Sequence, residues 1–189
     1  MAGEVDICNA ALRKLGAAEI VSLSEDTVEG RLANGSYDSI RRQEFRRHIW
    51  TCLIERAALA ADATTPTWGR ANSFTLPANY LRLAPRYPED NAAVDWQIEG
   101  RKILSDDDSL QIRYIADIED VNRWDELLRE AVSCKLALEW AEKLTQSNTK
   151  KDALKDDYRY AISEARKTNA IEKPVADEAV EDEWLSCRG

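Results

Sequence analysis

Glycine, histidine and methionine are scarce in this 189-residue chain, which has seven glycines, one histidine and one methionine. The glycines stand singly, so consecutive backbone amides cannot be gathered into a phosphate-cradling loop. The single histidine, His48, has no ligand cluster around it, which argues against a zinc site. The four cysteines, Cys8, Cys52, Cys134 and Cys187, include no CxxC pair and read as buried free thiols. No apolar run approaches the ~18 residues of a membrane helix. No basic start followed by an apolar block opens the chain, so no secretory signal is expected and synthesis is placed in a cytoplasm. A nucleophile elbow and an HExxH motif are also missing. Together these gaps predict a protein without catalytic centre, metal or cofactor.

What is present is acid. The formal net charge is -9, with 44% hydrophobic residues, a globular composition. Gripping DNA rests on neutralising phosphates with Lys and Arg. An acidic chain suits instead a surface along which DNA slides without sticking, or ordinary solubility. At this length a single domain can bury a sizeable core without staples.

Periodicity divides the chain into helical blocks around an insert. Val5, Cys8, Leu12 and Leu15 recur at three and four, forming one face of a first helix that stops at Gly16. Ser22 or Ser24 is the expected cap of a second helix from about Glu25 to His48. Leu53, Ile54, Ala57 and Ala61 extend that helical period to about Ala61, continuous or kinked at His48 to Trp50. Residues 71–116 read as short strands in an antiparallel meander, with Pro77, Pro85 and Pro88 favouring edges and loops. Asn122 and Thr149 are the expected caps of third and fourth helices, which run to about Thr145 and Ala170 and are joined closely enough to pack antiparallel. The predicted fold is α+β, mainly α: a bundle of about four helices, a small antiparallel β insert and an extended C-terminal tail. The first 170 residues form one domain, with helices over about 5–61 and 122–170. Residues 171–189, with six acids against two bases, read as a disordered tail or as a docking arm that orders on a partner. Pro174 blocks helix continuation there, and Trp184 and Leu185 are its large apolar side chains near the end.

Several groups are candidates for contacts. Arg41, Arg42, Arg46 and Arg47 crowd the end of the second helix, either as a solvated terminus favoured by the helix dipole or as a contact with a neighbour's carboxylates. Trp68, between Pro66 and Gly69, is expected in a loop, exposed and available for assembly. Trp124 and Trp140 suit core or subunit contacts. Asp106, Asp107 and Asp108 read as a charged loop, because adjacent carboxylates point in different directions and make a poor cation site. Glu89 with Asp95 has no feature that sets it apart from solvated surface as a glycosidase pair.

One wider pattern links these segments. The run Leu76-Pro77-Ala78-Asn79-Tyr80-Leu81-Arg82-Leu83 follows an opening Asn9-Ala10-Ala11-Leu12-Arg13-Lys14-Leu15-Gly16, Ile20-Val21-Ser22-Leu23, an arginine-rich helix and His48-Ile49-Trp50. Leu110 to Tyr114 and Trp124-Asp125 come after it. This order, over roughly residues 5 to 170, resembles the head-to-tail adaptor proteins of short-tailed phages, the tail tubular protein A family. Members often carry proline where this chain has Ile49. The resemblance implies a structural virion protein at the head–tail junction. It would form a homo-oligomeric ring, of about twelve subunits, closed by a repeated head-to-tail interface. The ring would sit between the portal protein and the tail tube or nozzle protein and pass DNA without binding it specifically. C-terminal arms would reach the portal, and Asp106 to Asp108 would face the channel or the tail side. No membrane is involved. The alternative is a virion-associated hydrolase or a DNA-binding accessory factor, the latter recognisable by affinity that falls steeply with salt.

Overall fold

The first helix, α1, spans Glu4–Leu15, and its expected stripe is inward: Cys8 and Leu12 are fully buried, with Ile7 and Ala11 beside them. Gly16 ends it at φ 73, the left-handed conformation that a side chain would oppose. The computed structural model describes residues 3–85 and 95–172. Beyond α1 these hold α2 (Val28–Arg47), a 3₁₀ turn (Thr51–Leu53), β1 (Ile54–Ala60), β2 (Asn72–Thr75) and β3 (Tyr80–Leu83). They continue with β4 (Trp96–Glu99), β5 (Lys102–Ser105), β6 (Ser109–Ala116), a second 3₁₀ turn (Val121–Arg123), α3 (Glu126–Thr145) and α4 (Asn148–Ile171). The fold is α+β and mainly α. None of these helices is long and apolar enough to cross a membrane.

Helix starts depart from the expected caps. Ser22 to Glu25 forms a turn: the Glu25 carboxylate accepts the Val21 N–H, and the two serine hydroxyls bond each other. Thr27 caps α2 instead, accepting the Gly30 N–H at 3.0 Å. The turn runs so close to the helix that a Cβ on Gly30 would lie 2.4 Å from the Glu25 carbonyl oxygen. Neither backbone can yield, so Gly30→Ala is expected to cost about 1–3 kcal/mol. A lower urea midpoint at unchanged slope is the readout. Asp125, not Asn122, caps α3 through the Leu127 and Leu128 amides, because Asp120 has already drawn Asn122 into the 3₁₀ turn. Ser147, not Thr149, caps α4.

The largest correction concerns residues 54–60, a strand rather than helix. Arg56, Ala58 and Ala60 are exposed while Glu55, Ala57 and Leu59 are half-buried, an alternation of two. β1 pairs antiparallel with β6 from Ile54↔Ile115 to Ala60↔Ser109. The helix ends before it without a proline. His48 turns to extended backbone, the Trp50 indole N–H donates to the Glu44 carbonyl at 3.1 Å, and Arg82 donates to the Arg46 carbonyl at 2.8 Å. Those carbonyls would otherwise need a further helical turn.

The insert is therefore not one meander. Among the described residues its strands form two three-stranded sheets, β1-β6-β3 and β2-β5-β4. Phe74 and Ile103, paired in register, are fully buried and join the second sheet to the common core. α3 and α4 pack antiparallel, as Glu142–Lys151 near their turn and Lys135 over the Tyr158 ring further out show. Trp140 and Trp124 are both core residues; the Trp124 indole donates to the Ile118 carbonyl, and Phe45 meets its ring edge-on at 4.9 Å. Cys8 and Cys134 are buried free thiols, and Cys52 is half-buried. Burial pushes the Cys8 thiol up to about 12 and Cys134 to about 11, so both stay protonated.

Candidate functional site

A groove of about 250 Å³ lies on the face of the second sheet turned away from the core. Strand pairing puts Ser73, Leu104 and Gln97 in one cross-strand row and Lys102 beside Glu99 in the next, and these form its floor. The segment Thr64 to Arg70 forms its wall. Trp68 stands in that wall, 84% exposed, as expected for a loop aromatic.

Two ion-pair clasps hold the groove open. Asp62 bonds Lys102 at 2.9 Å and also accepts the Ser73 and Thr75 hydroxyls, tying the end of β1 to β2 and β5. The Lys102 ammonium, followed by the Thr75 and Ser73 hydroxyls, holds the Asp62 carboxyl down to about 2, below its ordinary 3.8. A depressed carboxyl supports this clasp above its ordinary value, and the support is lost as pH falls from 3.8 towards 2. Lys102→Met should move the Asp62 titration back up towards 3.8, read by carbon-13 NMR; an unchanged midpoint would exclude Lys102 as the cause. In the second clasp Arg70 bridges Asp95 and Asp106, the latter at 2.7 Å. These two carboxylates, Asp95 first, raise the guanidinium's pKa. Asp106 is in turn lowered by the Ala71 N–H and then by Arg70.

The triple-aspartate segment is the loop between β5 and β6. Asp106 is engaged with Arg70 and Ala71. Asp107 accepts the Ser105 hydroxyl at 2.9 Å, and its carbonyl accepts the Asn72 side chain. Asp108 is exposed. Among the described residues no three His, Cys, Asp or Glu side chains gather to hold a metal ion. The groove presents one exposed indole, hydroxyls, the paired Lys102 and Arg70, and the exposed Glu99 carboxylate.

The arginine cluster is used within the chain. Arg41 is 2% exposed, so the expected contact with a neighbour is corrected for this residue: it bonds Asp117 at 2.9 Å and Asp38 at 3.3 Å. Arg42 is half-exposed and bonds Asp117 at 2.7 Å. Arg46 donates to the Leu81 carbonyl of β3. Arg47 reaches the Tyr158 hydroxyl at 2.8 Å, and that hydroxyl donates to the fully buried Glu44. The group thus ties α2 to β3, to the segment after β6 and to α4. A signal was present in the sequence: Tyr37, Ile40, Arg41, Glu44 and Phe45 share one helical stripe, so Arg41 and Glu44 lie on an apolar face.

Pro174, Trp184 and Leu185 lie outside the described residues, as do Glu89 and Cys187. The last described residue, Glu172, accepts the Thr51 hydroxyl at 2.8 Å. Of the run from Leu76 to Leu83, Leu76 is buried and Tyr80 to Leu83 form β3, which is pinned between β6 and the end of α2. No protein-family model matches the chain, and no curated protein matches it.

Proposed function

We propose that this chain is the ring-forming subunit of a head–tail adaptor, a structural virion protein that joins the portal to the tail tube or nozzle. The observation that supports the reading is what lies at the two ends of β1. Glu172, the last described residue, bonds Thr51 just before β1 begins, and the Trp68 groove opens beside Asp62, just after it ends. A strand of this length separates them by about 20 Å. A connector needs such a pair, one contact for the component above and one for a neighbour or the component below. The sequence resemblance supports the same reading.

In this arrangement the subunits assemble at the head–tail junction after synthesis in the host cytoplasm. Trp68 is the aromatic anchor between neighbouring subunits. Arg42, Arg46 and Arg47 remain exposed while bonded within the chain and are the arginines of the cluster that meet a neighbour's carboxylates. Asp107 and Asp108 face the channel or the tail side, where carboxylates repel passing phosphates.

Electron microscopy of the full chain mixed with its cognate portal tests this. The expected particle is a closed ring; twelve copies of the 21.4 kDa chain would weigh about 257 kDa. Trp68→Ala should leave the melting temperature of the subunit unchanged, because the indole is exposed, while weakening ring closure at least tenfold. A one-to-one complex with portal that never closes would overturn the assignment.

A further inference from the structure

One carboxamide joins the end of α4 to the corner that follows α2. Asn169 is 7% exposed, and its hydrogen-bonding capacity is filled. Oδ1 accepts the Thr51 backbone N–H at 2.7 Å and shares the one Thr51 hydroxyl proton, at 3.0 Å, with the Glu172 carboxylate at 2.8 Å. Nδ2 donates to the Ile49 carbonyl at 2.8 Å and lies 3.0 Å from His48 Nε2. Two backbone partners fix this orientation. The Thr51 N–H can only donate and the Ile49 carbonyl can only accept, so the amide cannot be flipped. The second amide proton therefore points at His48 Nε2, which must present a lone pair. The imidazole is held neutral in this geometry, with its proton on Nδ1.

We propose that His48 and Asn169 form a pH-sensitive latch that ties the last turn of α4 to the 48–51 corner, closed with a neutral imidazole and opened by its protonation. A proton on Nε2 would set one N–H against another and remove a bond from a buried amide. The closed latch excludes that proton and the open one accepts it, so acid favours opening. Trp50 meets the His48 ring edge-on at 4.9 Å and restricts its escape by rotation.

Among the described residues, the charged and titratable groups on the surrounding elements are Glu44, Arg46 and Arg47 on α2, Cys52 on the 3₁₀ turn, Asp125 at the start of α3 beside Cys52, and Arg166, Lys167 and Glu172 at the end of α4. Of these, Arg47 is met by Glu44 and Tyr158, Lys167 by Glu164, and Glu172 by the Thr51 hydroxyl. The latch holds the last described turn of α4, ahead of residues 173–189 in the sequence. It belongs to the isolated chain and does not depend on the adaptor reading.

Amide hydrogen exchange of the full chain tests it, followed over residues 166–172 and corrected for the intrinsic pH dependence of exchange. From about pH 7.5 to about 5.5, exchange there should accelerate about tenfold, the factor carried by one lost hydrogen bond. In His48→Gln the side-chain oxygen can replace Nε2 as acceptor and does not titrate, so this acceleration should vanish. Equal acceleration in both proteins would overturn the latch. Nitrogen-15 NMR of the unmutated chain decides the matter independently of how the variant folds. An unprotonated Nε2 with a protonated Nδ1 at about pH 7.5 is required, and the opposite tautomer refutes the proposal.

Discussion

Arg41→Ala should be among the most damaging single substitutions in this chain, costing about 3–5 kcal/mol. Its guanidinium is 2% exposed and bonds Asp117, itself 12% exposed, at 2.9 Å. Removing the cation leaves a largely buried carboxylate with only Arg42 to neutralise it. It also removes the planar group that lies 5.8 Å over the Tyr37 ring. For a domain of ordinary stability, a loss of this size removes roughly a fifth or more of the ~5–15 kcal/mol available. Arg42→Ala removes a half-exposed partner of the same aspartate and should cost about 1 kcal/mol or less. Urea unfolding of the two variants checks the contrast. The double substitution of Arg41 and Asp117 by alanine should recover part of the loss, since no charge is then stranded. Equal midpoints for the two arginine variants would show that burial of Arg41 does not control stability.

Deleting residues 173–189 should leave the body folded and abolish stable attachment to the portal. The described core is complete without them: α4 ends at Ile171, and the Glu172 carboxylate still finds Thr51. Pro174, Trp184 and Leu185 are all removed. Burying Trp184 and Leu185 on a partner contributes about 2–3 kcal/mol each. Fixing the arm opposes this by about 1 kcal/mol or more per residue. Two apolar anchors alone would not suffice, so the acids of the arm must meet basic groups, or its backbone must extend a portal sheet. The expected result is an unchanged far-ultraviolet spectrum apart from length, with loss of co-sedimentation with portal. Attachment as tight as that of the full chain would move the contact to the helical body.

The adaptor proposal, the arm and the latch make separate demands on this one region. A chain that closes into rings without its arm would keep the assembly role and lose the portal role. A chain whose α4 end responds to acid while its ring contacts do not would separate the latch from assembly.

Sequence periodicity located α1, α3 and α4 because each has apolar residues every three or four positions, set by the helix alone. Leu128, Ala131 and Trp140 in α3, and Leu154, Ala161 and Ala165 in α4, are buried accordingly. The exposure of Trp68 was also readable, since Pro66 and Gly69 break regular structure on both sides of it. Residues 54–60 were not readable as a strand. Glu-Arg-Ala-Ala-Leu-Ala satisfies a helical period as well as an alternating one, and alanine intrinsically favours helix. Pairing with β6 settled it, and that partner lies about 50 residues away in the chain, beyond any local rule. The caps moved by a few residues for a related reason: several Ser, Thr, Asn and Asp side chains compete near each start, and neighbouring turns decide which remains free. The arginine cluster divides the two kinds of information most clearly. Sequence alone determined that positive charge collects at the end of α2. The helical stripe already sets Arg41 on the apolar face, but only the tertiary structure decided that Arg41 meets Asp117, Arg46 holds β3 and Arg47 meets Tyr158, because pairing depends on which distant carboxylates and hydroxyls the packed helices and sheets bring within reach.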